Sequence, residues 1–339
     1  MLIQLRIPTH IKEAVDRLVI ERLYPDFNAA TVVALENLLV AEAEHAAGKP
    51  NQAAPRTTLP GGASVFNWSE APEIGKVHPL VPSPAAPGQA FPIERWLFGQ
   101  RNRLLPLKVN ARLLLLECSV AGEASLRLLA DKIALKAAEV GASLAKIDLE
   151  RKHKKEDLLA TGFPAEGSDK SAQRYADQFV ATENKRGDVT GMMTDWAMAI
   201  VDRASGTARL EPTDACVTFA SMPNPLMDSQ GQKSGDVKFS DQEIEWALQH
   251  LKRHVAVEVF AFRTLLRGIE TGANDPTRLD EYLNREKLVG NPKTTREFVG
   301  TQRAGAISRM ADLGLIRRVR DGVRISYELT DRASAFSAA

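Results

Sequence analysis

The sequence predicts a mainly α-helical protein with small β-hairpins, on three observations. Aromatic residues make up only 6% of the 339 residues, while Ala and Leu are abundant, a composition that favours helices. Beyond residue 92, apolar residues recur mostly at helical spacing. Near the C-terminus, the dipeptide Asp321-Gly322 separates two β-rich runs, which is a strong hairpin signal.

The composition also excludes several classes of protein. The formal net charge is +1, which argues against a polybasic protein but allows local basic faces. Two cysteines are too few for a disulfide framework or a four-cysteine zinc site. The N-terminus lacks a signal-peptide pattern, and the densest apolar run, Val109 to Cys118, is short of the ~20 residues that span a bilayer. We therefore expect a cytoplasmic protein without a membrane segment.

Residues 1–47 predict one short strand and two helices. Leu2 to Ile7 alternate with period two, and Asn28 is placed to cap the second helix. Because 47 residues in this order cannot close a core, the strand needs a second chain. The order resembles the ribbon-helix-helix family. That resemblance implies a homodimer in which Gln4 and Arg6 face DNA bases and the segment from Asn28 to Thr31 contacts a phosphate. Use of the ribbon for dimerisation alone is the alternative.

Residues 48–92 predict a linker. This stretch holds nine of the 18 prolines, which excludes helices and central strands. We expect a semi-rigid spacer there.

Residues 93–228 predict a helical domain. Its expected helices are Val109 to Cys118, one starting at Ser125, Ser171 to Val180 and Val189 to Asp202. Short strands are expected at 208–210 and 217–220.

A long connecting helix is expected over 240–272. Ser240 and Glu243 form a capping box, and Gly272 is placed to end the helix.

Residues 276–339 predict a short helix at 294–299, a turn at Gly300, a second helix at 301–313 and a hairpin. The string from Ile307 to Ile316, followed by Tyr327 to Thr330, resembles MarR-like bacterial winged-helix regulators. That resemblance implies a winged helix that binds DNA. Contact with a protein instead of DNA is the alternative.

Residues 301–324 contain six arginines and two aspartates, which gives this stretch a local net charge of +4. The helix residues suited to reach base edges are Gln302, Arg303, Ser308 and Arg309. The hairpin residues suited to phosphate or the minor groove are Arg318, Arg320 and Arg324.

A degenerate internal repeat extends this interpretation. Met193 to Met198 matches Met310 to Leu315, and Pro212 to Phe219 matches Leu329 to Phe336. The middle region therefore predicts a second winged helix, with residues 188–200 in the recognition position. Its polar side has few cations, so both DNA reading and structural use stay open. Four nearby residues are secondary phosphate-contact candidates: Gln173, Arg174, Lys185 and Arg186.

No nucleotide-binding or hydrolase motif is present. His250, His254 and Glu258 share a helical stripe, but the histidine motif lacks its catalytic glutamate. We therefore expect a non-enzyme without cofactor or metal. The sequence favours tandem winged helices and a ribbon-helix-helix that together bind specific double-stranded DNA at the nucleoid. Such a protein would be a transcriptional regulator or a plasmid or mobile-element maintenance factor. The alternative is an adaptor subunit that binds protein partners in a larger defence or DNA-processing complex.

Overall fold

The computed structural model describes residue 72 and residues 74–338, except 85, 87, 121–123, 155–156, 205 and 229–236. All of these belong to one compact unit, which takes in residues 57–339. The expected ribbon-helix-helix, with Gln4, Arg6, Asn28 and Thr31, lies outside the described residues. The first part of the expected linker does too.

The first half of the described chain is a group of helices with two short hairpins. A 3-10 turn at Ile93–Arg95 precedes the helices α1 (Leu105–Val120), α2 (Leu126–Arg151), α3 (Asp169–Tyr175), α4 (Met192–Asp195) and α5 (Asp214–Ser221). A π-turn at Ala176–Val180 continues α3. The antiparallel pairs are β1 (Thr182–Glu183) with β2 (Val189–Thr190), and β3 (Ala199–Asp202) with β4 (Arg209–Pro212).

The second half contains the helices α6 (Asp241–His254), α7 (Ala256–Glu270), α8 (Pro276–Arg285), α9 (Arg296–Asp312) and α10 (Asp331–Ala338). Its antiparallel hairpin joins β5 (Ile316–Asp321) to β6 (Arg324–Leu329). The described part is thus mainly helical with small two-stranded sheets, which confirms the predicted class at that level.

Helix α1 lies at the centre of the fold, and most of its residues are buried. Leu107, Val109 and Leu114 are fully buried, as are two cations, Lys108 and Arg112. Lys108 Nζ lies 3.0 Å from Glu243 Oε1 at the start of α6. Arg112 donates to both carboxylate oxygens of Asp228, each at 2.6 Å. These buried ion pairs join α1 to the chain that leads into the second half.

The expected helix over 240–272 is two helices. The Ser240–Glu243 capping box starts α6 as predicted. The backbone at Val255 then leaves helical geometry, with φ −127° and ψ 63°, and its side chain is buried. Gly272, at φ +96°, ends α7: Ala273 N–H donates to Gly268 O and Gly272 N–H to Ile269 O, the bonds of a Schellman motif.

Two further expectations in the middle region are wrong. The helix expected over 189–202 is a strand, the single turn α4 and another strand. The strand expected over 217–220 belongs to helix α5, which Thr213 caps by accepting from Cys216 N–H. Short apolar runs suit both kinds of element, so periodicity could not separate them.

The end of the expected linker is part of the folded unit. His78 N–H donates to Pro212 O at 3.0 Å, and Asp214 N–H donates to His78 O at 3.0 Å. Ser83 N–H donates to Arg253 O at 2.7 Å, and Phe91 is buried. From residue 74 onward, therefore, the chain packs along β4 and α6 instead of spacing two bodies apart.

Candidate nucleic-acid interface

The residues expected to read bases lie on α9, and the structure places them inside the protein. Gln302, Arg303, Ser308 and Arg309 are all buried, and Arg309 has no exposed surface. A side chain that contacts DNA must be accessible. These four therefore stabilise the fold in this conformation, and the expectation that they face DNA is corrected.

Each of the four has an internal partner. Gln302 accepts from Gly99 N–H at 2.5 Å and donates to Trp96 O at 3.1 Å. Arg303 Nε donates to Asp280 of α8 at 2.6 Å. Ser308 Oγ accepts from Arg318 of the hairpin at 2.5 Å.

Arg309 forms the most buried of these contacts. Its guanidinium donates to both carboxylate oxygens of Glu258 on α7 and, at 2.7 Å, to Arg101 O. Arg309 and Glu258 are both fully buried. The pair joins α9, α7 and the segment before α1.

The wrong expectation that these four residues face DNA comes from the interpretation of Gly300. With Gly300 as a turn, the second helix would begin at residue 301, and the four candidates would lie in its first nine residues. In the structure Gly300 lies inside α9, which begins at Arg296 with Thr295 as its cap. Lys293, Thr295, Arg296 and Glu297 are exposed at the start of this helix. The cap signal at Thr295, followed by an apolar residue at 298, could have revealed this start.

A hairpin follows α9 as expected, but its turn lies one residue later than the expected Asp321-Gly322, and Asp321 belongs to the first strand. Ile316 pairs with Leu329 and Asp321 with Arg324, so Gly322 and Val323 form a two-residue turn. Gly322 has φ +57°, as the first central position of a type II′ turn requires. Val323 at the tip is 99% exposed.

The hairpin arginines differ in environment. Arg317, Arg320 and Arg324 are exposed. Arg317 is paired with Glu328 at 2.5 Å, and this hydrogen bond raises the pKa of the guanidinium. Arg318 is half-buried, and burial lowers its pKa. Of the predicted hairpin residues, Arg320 and Arg324 are accessible, while Arg318 packs against α9.

The internal repeat is reproduced in backbone geometry. In the first copy, Met198 N–H donates to Met193 O at 2.8 Å and Thr213 Oγ1 to Ala197 O at 2.8 Å. In the second copy, 117 residues later, Leu315 N–H donates to Met310 O at 2.9 Å. There Thr330 Oγ1 donates to Gly314 O at 2.7 Å.

The two copies also share their strand register and chain reversal. Ala199 pairs with Pro212 as Ile316 pairs with Leu329, again 117 residues apart. The reversing residue has positive φ in both, 53° at Ala197 and 65° at Gly314. We call this unit the corner motif. It consists of a helix end, a residue that reverses the chain, a hairpin and a threonine after the hairpin, and its copies run from Met193 to Thr213 and from Met310 to Thr330. Four large side chains in or next to the first copy are buried: Met192, Met193, Trp196 and Met198.

A short segment, residues 101–104, lies between the two corner motifs and contacts both. Arg101 donates to Asp195 at the end of α4. Leu104 N–H donates to Asp312 at 3.0 Å, and Arg103 lies 3.6 Å from the same carboxylate. Asp195 and Asp312 occupy equivalent positions in the repeat, so one segment binds the same site of both copies.

The secondary candidates are accessible. Gln173 and Arg174 lie on the exposed side of α3, and Lys185 and Arg186 form the exposed turn between β1 and β2.

The His-His-Glu stripe is not assembled. His250 is buried with Nε2 2.7 Å from Trp196 O, and its ring is tilted by 31° against that of His254, with 5.0 Å between the ring centroids. Glu258 lies beyond the break at Val255 and binds Arg309. In the part of the chain that the structure describes, no group of three or more His, Cys, Asp or Glu side chains is arranged for a metal ion. No helix there is both long enough and apolar enough to cross a membrane.

Comparison with known proteins found no protein-family model, no curated protein and no solved structure that matches this chain.

Proposed function

We propose that the protein is a non-catalytic, sequence-specific binder of double-stranded DNA, and that its two corner motifs are tandem winged helices. The observation that carries the proposal is the β5–β6 hairpin. It follows helix α9 directly, ends in an exposed tip and displays Arg317, Arg320 and Arg324 to solvent. A hairpin of this kind suits contact with phosphates or the minor groove.

The start of α9 completes the interface. Lys293, Thr295 and Arg296 are exposed there, and a helix N-terminus favours a phosphate. Five exposed cations of this helix start and the hairpin outnumber three exposed acids, Glu297, Asp321 and Glu328. Base reading then falls to the first turn of α9 rather than to Gln302, Arg303, Ser308 and Arg309.

The test begins with selection of bound duplexes from a random pool at physiological salt, using the full chain. Binding to the selected duplex is then measured by fluorescence anisotropy for Arg320→Ala and Arg324→Ala. Each variant should bind more weakly. The magnitude of the negative slope of log affinity against log salt concentration should fall by about 0.9 for each variant. Arg253→Ala, an exposed arginine at the end of α6, is the matched control and should bind as the parent does.

Arg296→Ala tests the helix start. It should cost about 1–3 kcal/mol on the selected sequence and less on random duplex, since it removes a base contact. If the selection yields no preferred sequence, or if Arg320→Ala, Arg324→Ala and Arg296→Ala all bind like the parent, the hairpin is instead a surface for protein contact.

That second candidate, an adaptor, is favoured by one observation. Four polar residues of α9 are used inside the fold, so the middle of this helix offers no groove-reading face.

A further inference from the structure

A cavity of about 540 Å³ lies between helix α7, the end of α8 and the chain around Gly88. Its volume is in the range of pockets that hold small molecules. It contains no residue of the hairpin or of the start of α9, so it is separate from the proposed DNA interface.

Two arginines of α7, Arg263 and Arg267, line the cavity and are exposed. They are four residues apart, so they lie on one face of the helix, and both side chains can reach the same anion. Neither guanidinium forms an ion pair or a hydrogen bond with any residue that the structure describes. Glu286 is the one acidic side chain among the described residues that line the cavity, so the lining keeps a net positive charge. The cavity thus presents two unpaired cations to an anion.

Tyr282 is a second and independent sign of a ligand. Only 5% of this residue is exposed, it lines the cavity, and its hydroxyl forms no hydrogen bond with a described residue. A polar group in such a position needs an acceptor from outside the chain. Burial and the charge of Glu286 raise the pKa of this hydroxyl, while the charge of Arg267 lowers it. The hydroxyl therefore keeps its proton, and the Arg267 charge lies near it.

The cavity also has an apolar part, formed by Val259, Phe260 and Leu288. The ring of Phe260 packs edge to face on that of Phe91, with 5.7 Å between the centroids. Leu288 O accepts from Ile93 N–H at 2.8 Å. These contacts fix the apolar wall, against which the uncharged body of a ligand can pack.

We propose that this cavity binds a small organic phosphate monoester. The phosphate lies on Arg263, Arg267 and the Tyr282 hydroxyl, and the organic group packs against the apolar wall. A phosphate monoester carries a charge of about −1.5 to −2 at pH 7, which matches two guanidinium groups, whereas a carboxylate would leave one of them unpaired. Its oxygens also accept from the hydroxyl.

Isothermal titration calorimetry of the full chain tests the ligand class with three probes: phenyl phosphate, inorganic phosphate and benzoate. Phenyl phosphate should bind, and the other two should bind about tenfold more weakly or less, since each lacks one of the two features that the cavity recognises. Absence of phenyl phosphate binding at millimolar concentration would overturn the proposal. Equal affinity for benzoate would do so too, because the cavity would then not select the phosphate charge. Equal affinity for inorganic phosphate would mean that the apolar wall has no role and would also overturn it.

Variants of the lining test the site itself. Arg263→Gln, Arg267→Gln and Tyr282→Phe should each weaken phenyl phosphate binding by about tenfold, as the loss of one hydrogen bond to a charged group implies. Glu286→Gln removes the acid and should strengthen binding. Arg253→Gln, an exposed arginine outside the cavity, is the matched control and should bind as the parent does.

Circular dichroism should show the arginine variants folded, because both side chains are exposed and unpaired. Equal weakening by Arg253→Gln and Arg267→Gln would mean that only the net charge of the protein matters. Unchanged affinity in Arg263→Gln and Arg267→Gln would place the phosphate elsewhere. Either result would overturn the proposal without bearing on DNA binding by the hairpin.

Discussion

The Arg309 guanidinium lies wholly inside the protein, opposite the equally buried Glu258 carboxylate. Removing two charges from water is costly, and their attraction offsets that cost only while both partners remain. The pair therefore affects the free energy of unfolding mainly when one of its two members is removed.

Arg309→Met should destabilise the protein by about 3–5 kcal/mol, because it leaves Glu258 buried and unpaired. The double variant Arg309→Met, Glu258→Met replaces both charges with apolar groups and should recover most of that loss. Urea unfolding of the parent and the two variants measures the effect. A double variant no more stable than Arg309→Met would show that the pair itself stabilises the fold. Weak DNA binding by an Arg309 variant would reflect unfolding, not a lost base contact.

His250 makes stability depend on pH. Its Nε2 lies 2.7 Å from the Trp196 carbonyl oxygen, so this nitrogen carries the hydrogen. Burial, the largest cause, lowers the pKa of the imidazole to about 4 from its usual 6.5. Between those values the unfolded chain binds a proton that the folded protein does not, and stability therefore rises with pH.

His250→Gln keeps a donor near this carbonyl but cannot titrate. The parent should lose about 3 kcal/mol from this group between pH 7 and pH 4. The variant should therefore show a shallower fall, measured as the free energy of unfolding in urea at half-unit pH intervals. Parallel curves for the two proteins would show that folding does not shift the pKa of His250.

At the scale of the element, the corner motif needs a residue with positive φ at its reversal. Gly314 fills this position in the second copy without steric cost, whereas Ala197 in the first copy places its Cβ in the disfavoured left-handed region. The two copies thus offer a matched pair of substitutions.

Ala197→Gly should stabilise the protein by about 1 kcal/mol, and Gly314→Ala should destabilise it by a similar amount. The residue after Ala197, Met198, already donates to Met193 as Leu315 donates to Met310, so no bond needs to change. Thermal unfolding of both variants tests the equivalence. Shifts of the same sign would show that the two reversals differ in strain.

The sequence predicted the elements that local chemistry determines. The hairpin turn at Gly322, the capping box at Ser240 and the repeat around Thr213 and Thr330 depend on a few neighbouring residues, and all are present. The side of α9 that faces the core depends instead on distant chain. The Gly99 segment packs directly against Gly305, and a Cβ at either glycine would clash with the other strand of backbone. The residues next to Arg309 in the sequence give no sign of the contact between the Gly99 segment and α9, so the burial of Arg309 could not be predicted.

At the scale of the whole molecule, residues 96–104 connect the two corner motifs. Arg101 binds Asp195 of the first, and the Leu104 amide binds Asp312 of the second. Arg309 also donates to Arg101 O, so the segment is fixed between the two copies. If both motifs bind DNA, this segment determines the distance between their contacts.

Residues 74–84 extend the same unit and give the last prediction. Lys76 Nζ lies 2.6 Å from Asp202 and 2.9 Å from Glu211, and His78 also binds Glu211. Backbone bonds from His78 to Pro212 and Asp214 hold this segment along β4. Proteases cleave chain that can unfold locally, and a docked segment resists them.

Trypsin should therefore cut after Lys76 much more slowly than after Arg186, which lies in the exposed turn between β1 and β2. Glu211→Ala removes the carboxylate that Lys76 and His78 share, so it should accelerate cleavage after Lys76 and leave cleavage after Arg186 unchanged. Mass spectrometry of early fragments gives both rates from one digest, with Arg186 as the internal reference. Rapid cleavage after Lys76 in the parent would mean that the docked segment opens readily, as expected of a spacer. Acceleration at both sites in the variant would mean that Glu211 stabilises the whole unit rather than this segment.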